Sequence, residues 1–170
     1  MKRMLIAGFG NIFHGDDAFG VEVIWRLKQR AWLEDVDVID FGIRAYDLAY
    51  ALIEDYRLIV LIDAVPMRRA PGTVCLIEPD LNQLEELGCY AVDPHLMNPV
   101  SVLRLAQSLG GVSARLFLIG CEPSVLRSHD GELGLSKQVQ NAVPRAITLC
   151  QSLVKLMRLR KKKEASLVAA

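Results

Sequence analysis

A continuous run of aliphatic residues, Leu58–Ile62, constrains the fold of this chain most strongly. It lacks the alternation of polar and apolar residues found in a strand with one face in water, so it predicts a central parallel strand covered on both sides. Two further apolar segments, near 3–8 and at 115–119, predict buried strands before and after it. Segments with helical spacing of apolar residues lie between them, which indicates a chain of alternating strands and helices.

The predicted elements follow one another in a regular order. Strands are expected near 3–8, 36–41, 58–62, 73–77 and 115–119, and helices near 17–31, 46–55, 99–109 and after 136. This order predicts an α/β domain of three layers, with a twisted, mainly parallel five-stranded sheet and helices on both faces. The strand after Pro71-Gly72 is predicted to lie at the edge and to run antiparallel. The domain is expected to span 1–157, followed by a disordered basic tail at 158–170.

Charge and cysteine placement exclude several classes of function. The net charge is zero, and the basic residues near the C-terminus are typical of a solvated helix end rather than a nucleic-acid site. No apolar run approaches the roughly 20 residues that a membrane span needs, and we expect a cytoplasmic monomer. The four cysteines are scattered without a C-x-x-C pair, which argues against a zinc knuckle or a redox motif.

A glycine-rich loop with two adjacent acids follows the first predicted strand. It reads GFGNIFHGDDAFG from Gly8 to Gly20. Phe13 stands where a dinucleotide-binding fingerprint needs glycine, and Asp16 and Asp17 place negative charge where a phosphate would bind. The loop therefore favours a cation over an anion. One of the two acids could instead cap the helix that follows.

Two further side chains are expected to meet the acidic pair. Asp63 follows the central strand, and His95 precedes the helix at 99–109. If the strand order begins 2-1-3, the carboxyl ends of strands one and three form the crevice in which α/β proteins bind ligands. Two carboxylates and an imidazole suit a borderline divalent ion such as nickel or zinc, with positions left for a substrate. The alternative for Asp63 is a helix cap or an ion pair with an arginine such as Arg44.

Four later segments accompany the opening loop in a recognisable order. They are DFGIRAYDL at 40–48, LIVLIDAV at 58–65, DPHLMNP at 93–99 and FLIGCEP at 117–123. With these segments and its glycine–x–glycine–asparagine turn, the chain resembles the maturation endopeptidases of nickel-iron hydrogenases. The resemblance covers most of the chain and thins after about residue 125. Several relatives have glutamate where this chain has Asp17, and Ala18 stands where glycine is common.

The resemblance implies a protease of known type. Members of the family remove a C-terminal extension from the hydrogenase large-subunit precursor after nickel insertion. The resemblance places the metal ligands at Asp17, Asp63 and His95, and these residues together with Asp16 form the expected catalytic set. Asp16 would act as a base or as a support behind the ligands, and either Asp16 or Asp17 could be the ligand. Nickel would arrive with the precursor, while the free enzyme could hold another divalent ion such as zinc.

Other functions remain open at this point. A non-catalytic nickel carrier or maturation chaperone would use the same three ligands, and a flavodoxin-like nucleotide enzyme would need magnesium to offset the acids. A nucleophilic Cys121 lacks a visible orienting residue, so we expect a thiol that is buried or at the rim of the crevice instead. His14 is interpreted as a surface residue, and His129-Asp130 as part of a turn.

Overall fold

The computed structural model describes residues 3–30, 35–84, 99–124 and 133–168. Within these ranges the strands are β1 (Met4–Phe9), β2 (Val36–Gly42), β3 (Leu58–Ala64), β4 (Val74–Ile77) and β5 (Arg115–Cys121). The helices are α1 (Phe19–Lys28), α2 (Ala45–Leu52), α3 (Pro99–Leu109) and α4 (Lys137–Val168). Every strand and helix predicted from the sequence has a counterpart among these elements.

The strands form one sheet in the order β2-β1-β3-β5-β4. The pairs β1–β2, β1–β3 and β3–β5 are parallel, and β4 pairs antiparallel with β5 at the edge. The predicted α/β class, the 2-1-3 order and the antiparallel edge strand are therefore confirmed. The orientation of β4 has a simple cause, because the connection from β3 is too short to include a crossover helix, which a parallel return needs.

The sheet separates two hydrophobic layers. Successive side chains of a strand point to opposite faces, so Met4 and Ile6 pack in the layer with α1 and α4, whereas Leu5 and Ala7 pack in the layer with α2 and α3. All six residues of β1 and all seven of β3 are buried. Burial on both faces explains why β3 is continuously apolar until Asp63. This aspartate is the only charged residue of the strand, and it is buried as well.

Helix bounds differ from the predictions in three places. A 3₁₀ turn, Gly15–Ala18, precedes α1, and α2 ends at Leu52 rather than near 55. Helix α4 continues through Val168 and so includes most of the segment predicted to be a tail. Its Arg158 donates to Asp35 at 3.0 Å, which fastens the helix to the residue before β2. None of the described helices is long and apolar enough to cross a bilayer.

Helix α1 lies unusually close to the sheet at Gly20. A Cβ atom added there would lie 2.2 Å from the carbonyl oxygen of Ile62 and 2.3 Å from that of Phe9. At Gly8, on the facing strand, the added atom would lie 2.4 Å from the carbonyl oxygen of Gly20. The backbone itself is the obstacle, and it cannot rotate away as a side chain can. Glycine is therefore required at both positions to seat the helix against β1 and β3.

Gly20→Ala is expected to destabilise the fold by about 3 kcal/mol, because a clash with backbone atoms forces the helix off the sheet. The measurement is urea unfolding followed by circular dichroism. Gly120→Ala is the matched control, since its added Cβ would meet side chains rather than backbone: Val65 at 3.3 Å and the end of Met67 at 3.7 Å. We expect a clearly smaller loss for the control. Equal losses for the two variants would contradict the proposed close contact.

Candidate active site

The acidic residues lie where β1 and β3 end side by side. Gly8 pairs with Ile62 in the parallel register, so the loop after β1 begins next to Asp63. The 3₁₀ turn that carries Asp17 packs against β3. Since β1 and β3 are neighbours in the 2-1-3 arrangement, this position is the switch-point crevice of the sheet.

Asp63 is a buried carboxylate with an acidic neighbour. Only 4% of the residue is exposed. Burial raises the pKa of Asp63 well above its usual value, and the charge of Asp17 raises it further. The backbone N–H of Ala64 donates to its Oδ1 at 2.8 Å, and this hydrogen bond lowers the pKa by less than burial and Asp17 raise it. Two carboxylates whose charges repel each other at the end of a buried strand form a site that a cation would stabilise.

Arg44 does not neutralise Asp63. Its guanidinium instead donates to the carboxylate of Asp47 at 3.3 Å and to the carbonyl oxygens of Phe41 at 3.2 Å and Asp40 at 2.5 Å. No described arginine, lysine or histidine forms an ion pair with Asp63. The alternative explanation of this carboxylate, an arginine partner at position 44, is therefore wrong.

The loop after β1 folds around Asp17. The backbone N–H of Asn11 donates to Asp17 Oδ2 at 2.7 Å. Gly10 adopts a φ of 133°, and an added Cβ atom there would lie 1.8 Å from the carbonyl oxygen of Asp17 and 3.7 Å from Asp63 Oδ1. Only glycine combines this backbone conformation with so close an approach. The glycine–x–glycine–asparagine turn thus places Asp17 next to Asp63.

Asp16 has a different role from Asp17. Only 1% of it is exposed, and its Oδ1 accepts the backbone N–H of Ser136 at 2.7 Å. Its Oδ2 accepts the backbone N–H of Ser124 at 2.7 Å and the hydroxyl of Ser136 at 3.0 Å. These bonds tie the loop to the segment after β5 and to the start of α4. Because both oxygens are held in this way, the geometry favours Asp17 over Asp16 as the metal ligand.

Glu122 is a third buried acid, after Asp63 and Asp16, and it is not among the site residues predicted from the sequence. Its Oε2 accepts the backbone N–H of Met67 at 2.6 Å and that of Arg69 at 3.1 Å. The bonds hold the segment that leaves the sheet after Asp63. The signal in the sequence was an acid placed directly after a buried strand, at the end of FLIGCEP. Glu122 therefore supports one wall of the crevice, as Asp16 supports the other.

The third predicted ligand lies outside the described residues. His95 falls within 85–98, and His129-Asp130 falls within 125–132, so the structure places neither. His14 is exposed in the loop before the 3₁₀ turn, as predicted. Within the described part of the chain, no group of three His, Cys, Asp or Glu residues could hold a metal ion. The described crevice thus contributes Asp17 and Asp63, and a third ligand from 85–98 stays a prediction.

Cys121 is unsuited to nucleophilic attack. It is buried at the end of β5, where burial and then the charges of Asp16 and Glu122 raise the pKa of its thiol to about 12. A thiol with this pKa stays protonated at neutral pH, and the thiolate is the reactive form. The described cysteines 75, 121 and 150 are all free, as expected of reduced thiols.

Cys121→Ala is expected to keep proteolytic activity within about twofold, because a protonated buried thiol takes no part in the chemistry. The measurement is the initial rate of substrate cleavage by both proteins. Iodoacetamide treatment of the folded wild-type protein should leave the rate unchanged as well. A loss of more than tenfold in Cys121→Ala, with the fold intact by circular dichroism, or an iodoacetamide inactivation that the variant escapes, would restore Cys121 as a candidate nucleophile.

Comparison with known proteins agrees with this geometry. The sequence profile of one family, described as hydrogenase maturation protease, matches residues 21–152. A putative hydrogenase maturation protease of Methanocaldococcus jannaschii is 34% identical over 149 residues, which cover 87% of this chain and 94% of that protein. The hydrogenase 2 maturation protease of Escherichia coli is 29% identical, over 85% of this chain and 86% of its own.

Solved structures show the same fold. The crystal structure of a hydrogenase 2 maturation peptidase from a Thaumarchaeota archaeon has a TM-score of 0.68 at 29% identity, covering 91% of this chain and 99% of its own. A hydrogenase maturating endopeptidase of Escherichia coli has a TM-score of 0.76 at 24% identity, covering 91% and 93%, and supports the fold alone. The profile match and the 34% identical protein of Methanocaldococcus jannaschii show that this chain belongs to the hydrogenase maturation protease family.

Proposed function

We propose that this protease removes the C-terminal extension of a nickel-iron hydrogenase large-subunit precursor after nickel has been inserted. The observation that carries the proposal is the buried carboxylate of Asp63 beside Asp17, at the end of a central strand, where no described cationic side chain forms an ion pair with Asp63. A divalent ion that binds between the two acids would stabilise such a site, because its charge offsets the repulsion between the carboxylates.

The donor set suits nickel that the precursor brings with it. We infer that Asp17, Asp63 and His95 bind the ion, since two carboxylates and an imidazole match a borderline metal and leave further positions for the precursor's own ligands. Another divalent ion such as zinc would fit the same donors in the free enzyme. In this proposal nickel belongs to the substrate, and the protease detects whether it is present.

The crevice would position the scissile peptide bond. With the precursor's metal held by Asp17 and Asp63, the chain that follows it would lie across the backbone at Gly42, where an added Cβ atom would meet only Asp40 Oδ1, at 3.9 Å. Fixed geometry of this kind can supply up to ~7–11 kcal/mol of a barrier. A bound divalent ion can polarise a carbonyl or lower the pKa of a water molecule. Hydrolysis then adds water to the carbonyl carbon, breaks the carbon–nitrogen bond and leaves a carboxylate and an amine.

We further propose that the protein acts in the cytoplasm and as a monomer. A precursor that has just received its metal is a folded protein, and a single α/β domain with an open crevice can reach its C-terminus. We expect no contact with nucleic acid, since the basic residues at the end of α4 are typical of a solvated helix end, and one of them, Arg158, is already paired with Asp35.

Intact-mass spectrometry of the nickel-loaded precursor tests the proposed function. After incubation with this protein, the precursor should lose its C-terminal peptide, and the peptide itself should be recovered. A precursor that stays intact, with its nickel content verified, would instead favour the carrier or chaperone with the same ligand set. Asp17→Glu is the informative variant, because it keeps the carboxylate and should keep cleavage, whereas Asp17→Asn should lose it.

A further inference from the structure

An apolar groove lies on the outer side of α1, beside the catalytic loop. We call it the α1 groove; its volume is about 310 Å³, and its apolar lining includes Ile12, Val21, Trp25, Leu133 and Leu135. Its walls come from three parts of the chain: the loop after β1, helix α1 and the segment before α4. Cavities that accept ligands in proteins have volumes of about 300–1,000 Å³ and are lined mostly by apolar side chains.

Large apolar side chains at this groove are exposed to water. Exposed fractions are 37% for Ile12, 48% for Trp25 and 77% for Leu133. Trp25 is also fixed in place, since its indole N–H donates to Asp40 Oδ2 at 3.0 Å. Clustered exposed apolar residues around a concave surface mark a binding site more often than a scattered few do. A fixed tryptophan in particular offers a large contact area at little entropic cost.

The α1 groove adjoins the loop that carries Asp17. Ile12 belongs to the loop that holds Asp17, and Ala18, which follows Asp17, also lines the groove. The opposite wall ends at Leu135, and the next residue, Ser136, is bound to Asp16 through its N–H and its hydroxyl. Asp16 therefore joins the wall of the groove to the loop that forms the crevice. A chain leaving the crevice across Ile12 would enter the groove.

We propose that the α1 groove binds apolar side chains of the C-terminal extension, on the part of the precursor that follows the scissile bond. This inference rests on the proposed function and adds the place where the leaving peptide lies. The volume of the groove holds a few side chains of an extended peptide and is too small for a folded domain. Because the groove lies beside the loop that carries Asp17, we infer that its occupant is the extension rather than a second copy of this chain.

Steady-state kinetics with the nickel-loaded precursor test the assignment. Leu133→Ser and Trp25→Ala are each expected to raise KM about tenfold while kcat changes little, because apolar contacts to the extension are lost. Trp25→Phe keeps the ring but loses the bond to Asp40, so it should stay near the wild-type KM. Tyr50→Ala is the matched control; it removes an aromatic side chain, 58% exposed, from α2 on the opposite face of the sheet.

Photocrosslinking gives a readout that does not depend on rates. With p-benzoylphenylalanine placed at Leu133, irradiation with the loaded precursor should yield a crosslink within the extension, identified by peptide mass spectrometry. Crosslinks confined to the body of the precursor, or to a second copy of this chain, would overturn the proposal. An unchanged KM in the Leu133→Ser variant, while the wild type cleaves normally, would do the same. If the wild type itself leaves the precursor intact, the proposed function fails instead.

Discussion

Asp63→Asn is expected to reduce cleavage of the nickel-loaded precursor at least about a hundredfold. The substitution keeps the size of the side chain and an oxygen that can accept the N–H of Ala64, but it removes the charge that would hold the precursor's metal. A loss of metal contact displaces the scissile bond, and a displacement of about 1 Å alone can cost about a hundredfold in rate. The measurement is the initial rate of appearance of the released peptide.

The same variant should be more stable than the wild type. Burial and Asp17 raise the folded-state pKa of Asp63 above its unfolded value, so the stability that Asp63 contributes is complete below about pH 4 and is lost as pH rises through the folded pKa. Asp63→Asn carries no charge at any pH, so relative to the wild type it should gain about 1–3 kcal/mol of stability as pH rises through the folded pKa of Asp63. Urea unfolding at pH 8 and at low pH measures this difference.

A combined result separates a functional acid from a structural one. Lower activity together with higher stability is expected of a residue retained for binding a substrate at the expense of the fold. If Asp63→Asn lost stability at pH 8 and activity in parallel, Asp63 would be a structural residue and the metal assignment would be contradicted. Asp37→Asn is a suitable control, because Asp37 is a partly exposed carboxylate that pairs with Arg3 at 2.7 Å away from the crevice.

Asp16→Asn is expected to show the opposite pattern, with a loss of stability of about 2–4 kcal/mol. The carboxylate of Asp16 accepts bonds from two backbone N–H groups and one hydroxyl, and an amide nitrogen in place of one oxygen would face a donor with another donor. The loop, the segment after β5 and the start of α4 would then separate. Differential scanning calorimetry or urea unfolding measures the loss.

Ser136→Ala provides the comparison for this variant. It removes the hydroxyl bond to Asp16 at 3.0 Å and a weak 3.5 Å bond from the N–H of Val139, but leaves both backbone bonds to Asp16 in place, so about 1 kcal/mol should be lost. Asp16→Asn with wild-type stability and no metal-dependent cleavage would mean that Asp16, rather than Asp17, is the ligand. Asp16 and Asp63 are thus distinguished by the opposite signs of their expected effects on stability.

Much of the architecture follows from local patterns in the sequence. The apolar run at 58–62, the alternating elements and the proline and glycine between β3 and β4 together predict the sheet and its antiparallel edge. Because topology fixes which strand ends are neighbours, the meeting of Asp17 with Asp63 could also be predicted. These inferences succeed where a short range of residues carries its own periodicity.

Contacts between distant parts of the chain could not be predicted in the same way. Asp16 lies 108 residues from Ser124 and 120 from Ser136, and hydrogen bonds to backbone N–H groups impose no residue type on the partner. A cap on the helix was a reasonable expectation for one acid of the pair, but the residue at the N-cap of α1 is Ala18, without a side-chain bond. The α1 groove likewise combines segments that no sequence pattern connects.

The most direct test of nickel recognition compares precursor with and without nickel under identical conditions. Each form is incubated with the wild-type protein and with His95→Ala, and the products are weighed by intact-mass spectrometry. We expect the C-terminal peptide to be lost only from the nickel-loaded precursor, and only with the wild type. Equal cleavage of the nickel-free precursor, or full activity of His95→Ala, would contradict the claim that this protease recognises the precursor's nickel with Asp17, Asp63 and His95.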